Sequence, residues 1–148
     1  MRGVTSLLIL AFLAVACGGG AASPSPSPSP SAPAMQVMAS GQLKAVDGTA
    51  SGKVELAVVD GAYEVVLDYF EIGSIEHTNV ILVENAAVTM SDDIDPAKIL
   101  DLGALKATSG MQVYAIPAEM ASSVMAGYHS VVIWDTAMSH VIAAAPLK

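Results

Sequence analysis

From Gln36 onward apolar and polar residues alternate with a period of two, which predicts half-buried strands rather than helices. In Lys53-Val54-Glu55-Leu56-Ala57-Val58 the alternation puts Val54, Leu56 and Val58 on one face and Lys53 and Glu55 on the other. Asp60-Gly61 follows, a pair suited to a tight hairpin turn. The alternation then resumes from Ala62 to Phe70, with Tyr63, Val65, Leu67 and Tyr69 sharing a face. Asn79 to Glu84 is apolar and β-branched, as a buried central strand requires. Met111 to Ile116, Tyr128 to Trp134 and Val141 to Ala145 read as later strands, and Gly41 to Val46 as the first. Seven or eight such strands predict an all-β fold, an antiparallel sandwich or barrel.

Two segments leave this pattern. Asp95-Pro96-Ala97-Lys98-Ile99-Leu100 carries a capping acid followed by proline, a favourable helix start. Pro117 to Met125, closed by Gly127, reads as a second helical turn or two. Both are expected as decorations in loops. The strand at 128–135 has two possible cores, because Val131, Ile133 and Asp135 alternate with Val132 and Trp134. With Trp134 inside, the plainer arrangement, Asp135 lies outward or at a strand end; with Val131 and Ile133 inside, it needs a partner.

Ahead of this domain the chain changes character. Met1-Arg2 precedes an apolar run from Val4 to Ala16 and then Cys17, the only cysteine. The run is too short for a bilayer core of roughly 20 residues, so it reads as a signal peptide over residues 1–16 rather than a spanning helix. Leu13-Ala14-Val15-Ala16-Cys17 resembles a lipobox, which implies acylation of Cys17 and a bacterial lipoprotein. Its lipid chains supply stable attachment at about 0.8 kcal/mol per buried methylene. Residues 17–34 are Gly/Ala-rich and then Ser-Pro repeats, a disordered, semi-rigid spacer rather than a ligand for a proline-binding domain. Residues 35–148 form the β domain, 114 residues with room for one core.

The expected location is therefore the cell envelope, on a bilayer and facing the periplasm or the exterior. After cleavage five lysines and no arginine face fourteen acids, a net charge of −9, which excludes nucleic acid as a natural partner. With Cys17 acylated no thiol is left for disulfides, redox cycling or nucleophilic attack.

Leu102-Gly103-Ala104-Leu105-Lys106, Gly110-Met111-Gln112-Val113-Tyr114-Ala115-Ile116-Pro117 and Ser130-Val131-Val132-Ile133-Trp134 form an ordered series. In it Leu102, Gly103, Leu105, Lys106, Gly110, Gln112, Tyr114, Pro117 and Trp134 resemble the motif of the DM-thirteen domain. Ser51-Gly52-Lys53-Val54, Leu67-Asp68-Tyr69-Phe70 and Ala145-Pro146-Leu147 extend the likeness over most of 41–148. The resemblance implies an extracytoplasmic β-rich electron-transfer module found beside DOMON domains. It also implies a cysteine after the Ile-Trp pair as the redox group, where this chain has Asp135. Aspartate has no oxidation ladder, so a thiol mechanism does not carry over. Physically, Gly103 and Gly110 suit positive φ, and Leu102 and Leu105 suit packing beneath a turn.

No nucleophile elbow, phosphate loop, HExxH or paired-cysteine motif is present, and no enzymatic activity is expected. Asp92, Asp93 and Asp95 lack the glycine and distal glutamate of a calcium loop and read as an acidic turn leading into a helix cap. Seven methionines remain in the mature chain with His77, His129 and His140, and thioether with imidazole selects copper. Met138, His140 and His129 are the copper candidates; methionine as a gap-filler of apolar cores is the competing explanation. No cofactor is otherwise specified. The sequence thus predicts a tethered, non-enzymatic binding module for an envelope protein or small ligand. Electron transfer through a haem, flavin or metal not held by cysteine is the alternative.

Overall fold

The computed structural model describes residues 34–74 and 76–148. The expected signal peptide, Cys17 and the expected spacer up to residue 33 lie outside the described residues. Nine strands follow in chain order: β1 (Met35–Gln42), β2 (Lys44–Ala45), β3 (Ala50–Val59), β4 (Ala62–Ile72), β5 (Thr78–Val83), β6 (Ile99–Ala104), β7 (Ser109–Ala115), β8 (Ser130–Asp135) and β9 (His140–Pro146). Among the described residues one α-helix, α1 (Ala121–Gly127), precedes β8, introduced by a 3-10 turn at Ala118–Met120. The strands form two sheets, β1-β3-β4-β7 and β2-β9-β8-β5-β6, with antiparallel pairing throughout. Of the two expected architectures, this is the sandwich.

Alternation builds the core as the sequence implies. Val54, Leu56, Val65 and Leu67 from one sheet meet Val80, Leu82, Val131 and Ile133 from the other. The β3–β4 hairpin closes at Asp60 and Gly61, whose φ values of 51° and 85° are those of a type I′ turn. Val124 of α1, fully buried, plugs this same core.

The outer face of the five-stranded sheet is covered too. Residues 84–98, the connection from β5 to β6, lay Val88 and Ile94 over Ile81, Val83, Val132 and Val141. β8 is therefore apolar on both faces: Val131 and Ile133 point into the sandwich, and Val132 and Trp134 under the connection. This corrects the plainer expectation that only the Trp134 face is core.

Other expectations fail for identifiable reasons. Tyr69 does not share the face of Val65 and Leu67; it is 84% exposed at a φ of 48°. Pairing with β7 jumps from Leu67↔Gln112 to Phe70↔Gly110, and this bulge hands the core position to Phe70. The helix start at 95–100 is a single 3-10 turn, Pro96–Lys98, capped by Asp95 Oδ1 accepting from Ala97 N at 3.0 Å. Ile99 and Leu100 instead open β6 against Val83 and Leu82. The first strand, expected at 41–46, is two: β1 pairs with β3, β2 pairs with β9, and buried Leu43 marks the crossing between sheets.

The hydroxyl of Ser130, at the start of β8, is buried with no hydrogen-bond partner. Ser130→Ala removes that desolvated group at nearly constant shape. It should leave stability unchanged or raise it by up to about 1 kcal/mol, as read from denaturant unfolding.

Candidate functional site

The motif in the second half converges on the crossover from β6 to β7. Gly103 (φ 105°) and Gly110 (φ 95°) each sit at a break in strand register, and Leu105 is buried beneath the turn between them. Leu102 is half-buried against the same core. Gln112, only 5% exposed, accepts at Oε1 from Lys106 N at 3.0 Å and from the Tyr114 hydroxyl at 2.8 Å. Its Nε2 donates to Ala107 O at 2.9 Å. The Lys106 ammonium lies 4.5 Å from the centre of the Tyr114 ring and donates to Val113 O. Pro117 then heads the 3-10 turn before α1. Every polar atom of Gln112 is used within the protein, so this part of the motif holds a loop shut.

Burial pushes the Tyr114 phenol above its ordinary value, partly offset by the hydrogen bond from Lys106 N. The folded protein therefore favours the protonated ring more than the unfolded chain does. That stability is complete below the unfolded pKa of about 10 and is lost as pH rises from there through the raised folded value. Tyr114→Phe should flatten the alkaline loss of stability, measured by urea midpoints taken at intervals above about pH 9.

At the opposite end of β8, Asp135 is half-buried at the strand terminus. Its Oδ1 accepts from Ala137 N at 2.8 Å and Met138 N at 2.9 Å, an Asx-type turn that shapes the 136–139 connection. Directly across the ladder stands His140.

The family model described as Electron transfer DM13 matches residues 42–147. The chain belongs to that family. No curated protein and no solved structure gives a significant match.

In this DM13 domain Asp135, where the resemblance implies a cysteine, lines a cleft of about 360 Å³. Asp47, Asp135, Met138, His140 and Ile142 line it together with backbone around Gly48 and Gly73. It adjoins a groove of about 540 Å³ that shares Gly48, Thr49, Ile72 and Gly73 but carries no histidine or methionine. The larger groove thus offers fewer chemical handles than the cleft. His140 joins three segments: Nε2 lies 2.9 Å from Asp47 Oδ2, and Nδ1 lies 3.1 Å from Ser91 Oγ, which also accepts from Val141 N at 3.0 Å. Ser139 (φ 52°), between Met138 and His140 in the chain, and His77 (φ 54°) are in the left-handed region. Thr136 N and Oγ1 both donate to His77 O, at 2.7 and 2.9 Å.

The structure thus brings Asp135, Met138 and His140 together and leaves His129 apart. His129 is exposed beyond the other end of β8, about 20 Å away at roughly 3.3 Å per residue. Among the described residues no three His, Cys, Asp or Glu side chains converge as a metal site. Asp92, Asp93 and Asp95 form the expected acidic turn: Asp93 Oδ2 accepts from Thr89 N, Thr89 Oγ1 and Met90 N. Those bonds, led by the one from Thr89 N, hold its carboxyl below the ordinary value. Asp47 and Ser91 were not legible as site residues, since each meets His140 only through the fold.

Proposed function

We propose that the chain is a lipoprotein anchored through acylated Cys17, holding its DM13 domain outside the cytoplasm as a non-enzymatic interaction module. The observation that carries this reading is the state of Asp135: where the family has its cysteine, this chain has a carboxylate occupied by two backbone amides. The chain's only cysteine, Cys17, follows an apolar leader and precedes a Ser-Pro spacer. A thiol–disulfide step therefore has no residue in the domain to perform it, whereas tethering and recognition need none. The partner is an envelope protein or a small envelope ligand, and the acidic surface argues against nucleic acid.

Cell fractionation tests the anchor. Wild type should sediment with membranes and Cys17→Ala should appear in the soluble fraction; a variant that stays with membranes contradicts the assignment. Affinity purification from solubilised envelope tests the module. The same partner should be recovered with wild type and with His129→Ala. Recovery of no specific partner from either would contradict the reading.

A second reading, electron transfer as the family description states, is favoured by the cleft beside Asp135, where imidazole and thioether donors stand in place of a thiol. It requires a bound redox group. The absorbance spectrum of natively purified protein separates the two, with a haem or flavin band expected only for electron transfer through such a group.

A further inference from the structure

We propose that the cleft beside Asp135 is a copper site, with His140 Nε2 and Asp47 as the nitrogen and oxygen donors and Met138 as the soft donor. This deepens the reading of that cleft as the seat of a non-thiol redox group, and it is independent of the anchor.

The imidazole is set up as a metal ligand. A ligating histidine ordinarily donates its second ring N–H to a fixed acceptor, which sets the tautomer and the ring plane. Ser91 Oγ stands 3.1 Å from Nδ1, and its own position is set by Val141 N at 3.0 Å. In the empty protein Nε2–H donates to Asp47; a metal ion would displace that proton, and Nδ1–H donating to Ser91 would then leave the Nε2 lone pair for the ion. Asp47 Oδ2 lies 2.9 Å from that nitrogen. Two donors about 2.0–2.1 Å from one ion in a tetrahedral site stand about 3.3–3.4 Å apart. The 2.9 Å pair therefore needs to open by only about half an ångström to admit an ion between its two atoms.

Met138 belongs to the same cleft and is 77% exposed. Its exposure means that it does not serve as a gap-filler of the core, the ordinary explanation for methionine. The Asx turn on Asp135 and the left-handed backbone of Ser139 fix the connection that carries it, two residues before His140. One imidazole, one carboxylate and one thioether are too few protein donors for a closed structural zinc site. A hard oxygen-only cation has no use for sulfur or imidazole, whereas thioether selects Cu(I) and imidazole suits copper.

The test is a titration of the full mature chain in detergent with Cu(I) under chelator competition, repeated with Zn(II). Wild type should take up one Cu(I) with a dissociation constant below micromolar, and Zn(II) should bind at least tenfold more weakly. Met138→Leu, a change on an exposed side chain that leaves folding alone, should weaken Cu(I) at least tenfold. His140→Ala should abolish it, and His129→Ala should leave it unchanged. Wild-type binding no tighter than micromolar, a preference for Zn(II), or tight binding that survives either Met138→Leu or His140→Ala overturns the site. Fractionation and partner recovery are read separately, so failure here leaves the anchor and the interaction reading standing on their own tests.

Discussion

Gly41→Ala should be among the most damaging single-methyl changes in the domain, lowering stability by about 3 kcal/mol or more because overpacking against backbone has no flexible side chain to yield. A Cβ on Gly41 would meet Pro146 O at 2.1 Å and Pro146 C at 3.0 Å. The contact is this close because β1 and the C-terminal residues meet there: Ser40 N donates to Lys148 O and Lys148 N to Ser40 O, both at 3.0 Å. The backbone of β9 is itself pinned by pairing with β8, so relief requires β1 to leave the C-terminal segment. Gly41 is also the partner of Val54, a fully buried core residue, and movement of β1 disturbs that register. A thermal melt should show a midpoint lowered by roughly 10 °C or more for a domain of this size. By contrast Gly61→Ala meets no atom within 4 Å, and its penalty is limited to the strain of φ 85°.

Gln112→Ala should cost about 3 kcal/mol in urea unfolding, from three lost hydrogen bonds at about 1 kcal/mol each with some cavity contribution. The larger part of the effect is the groups left behind. Ala107 O loses its donor, and the Tyr114 hydroxyl loses its 2.8 Å acceptor inside a core where the ring is 3% exposed. Lys106 N retains the Tyr114 oxygen at 3.2 Å, so the network fails in part rather than altogether. Gln112→Glu separates size from charge: it keeps the acceptor for Lys106 N and the shape of the side chain while removing the donor to Ala107. It should be more harmful than alanine if burial of charge dominates. In neither variant should membrane attachment or copper uptake by folded protein change, because the motif and the cleft occupy different parts of the sandwich.

That separation explains what the sequence could and could not disclose. Strands β3, β4, β5, β7, β8 and β9 were legible because burial of a face leaves a repeating mark on the residues themselves. β6 was not, since Leu102 is bulged out of register between Val80↔Gly103 and Ile81↔Asp101, and this disrupts the alternation within six residues. Tyr69 was misassigned for the same reason. The ordered motif around Lys106, Gln112 and Tyr114 pointed to the family, and its residues turn out to be joined by hydrogen bonds to one another. A recognisable motif therefore reported the fold here more than the chemistry.

The cleft was legible only in part. Met138 and His140 are near in sequence and their donor types suggested a site. Ser91 lies 49 residues from His140 and Asp47 lies 93, and no spacing rule links such distances. The β5–β6 connection and the β2–β3 turn bring them to one ring. His129, equally plausible by residue type, sits past the other end of a six-residue strand, where the ladder direction removes it from the group.

On the proposed reading the domain works without a thiol, the chain's only sulfhydryl serving the anchor. Intact mass spectrometry of protein purified from membranes, before and after maleimide treatment, tests it most directly. The protein should begin at Cys17 and be heavier than residues 17–148 by a diacylglyceryl group and an acyl chain, with no maleimide added. A chain carrying Cys17 as a free thiol, labelled once per molecule, would contradict it.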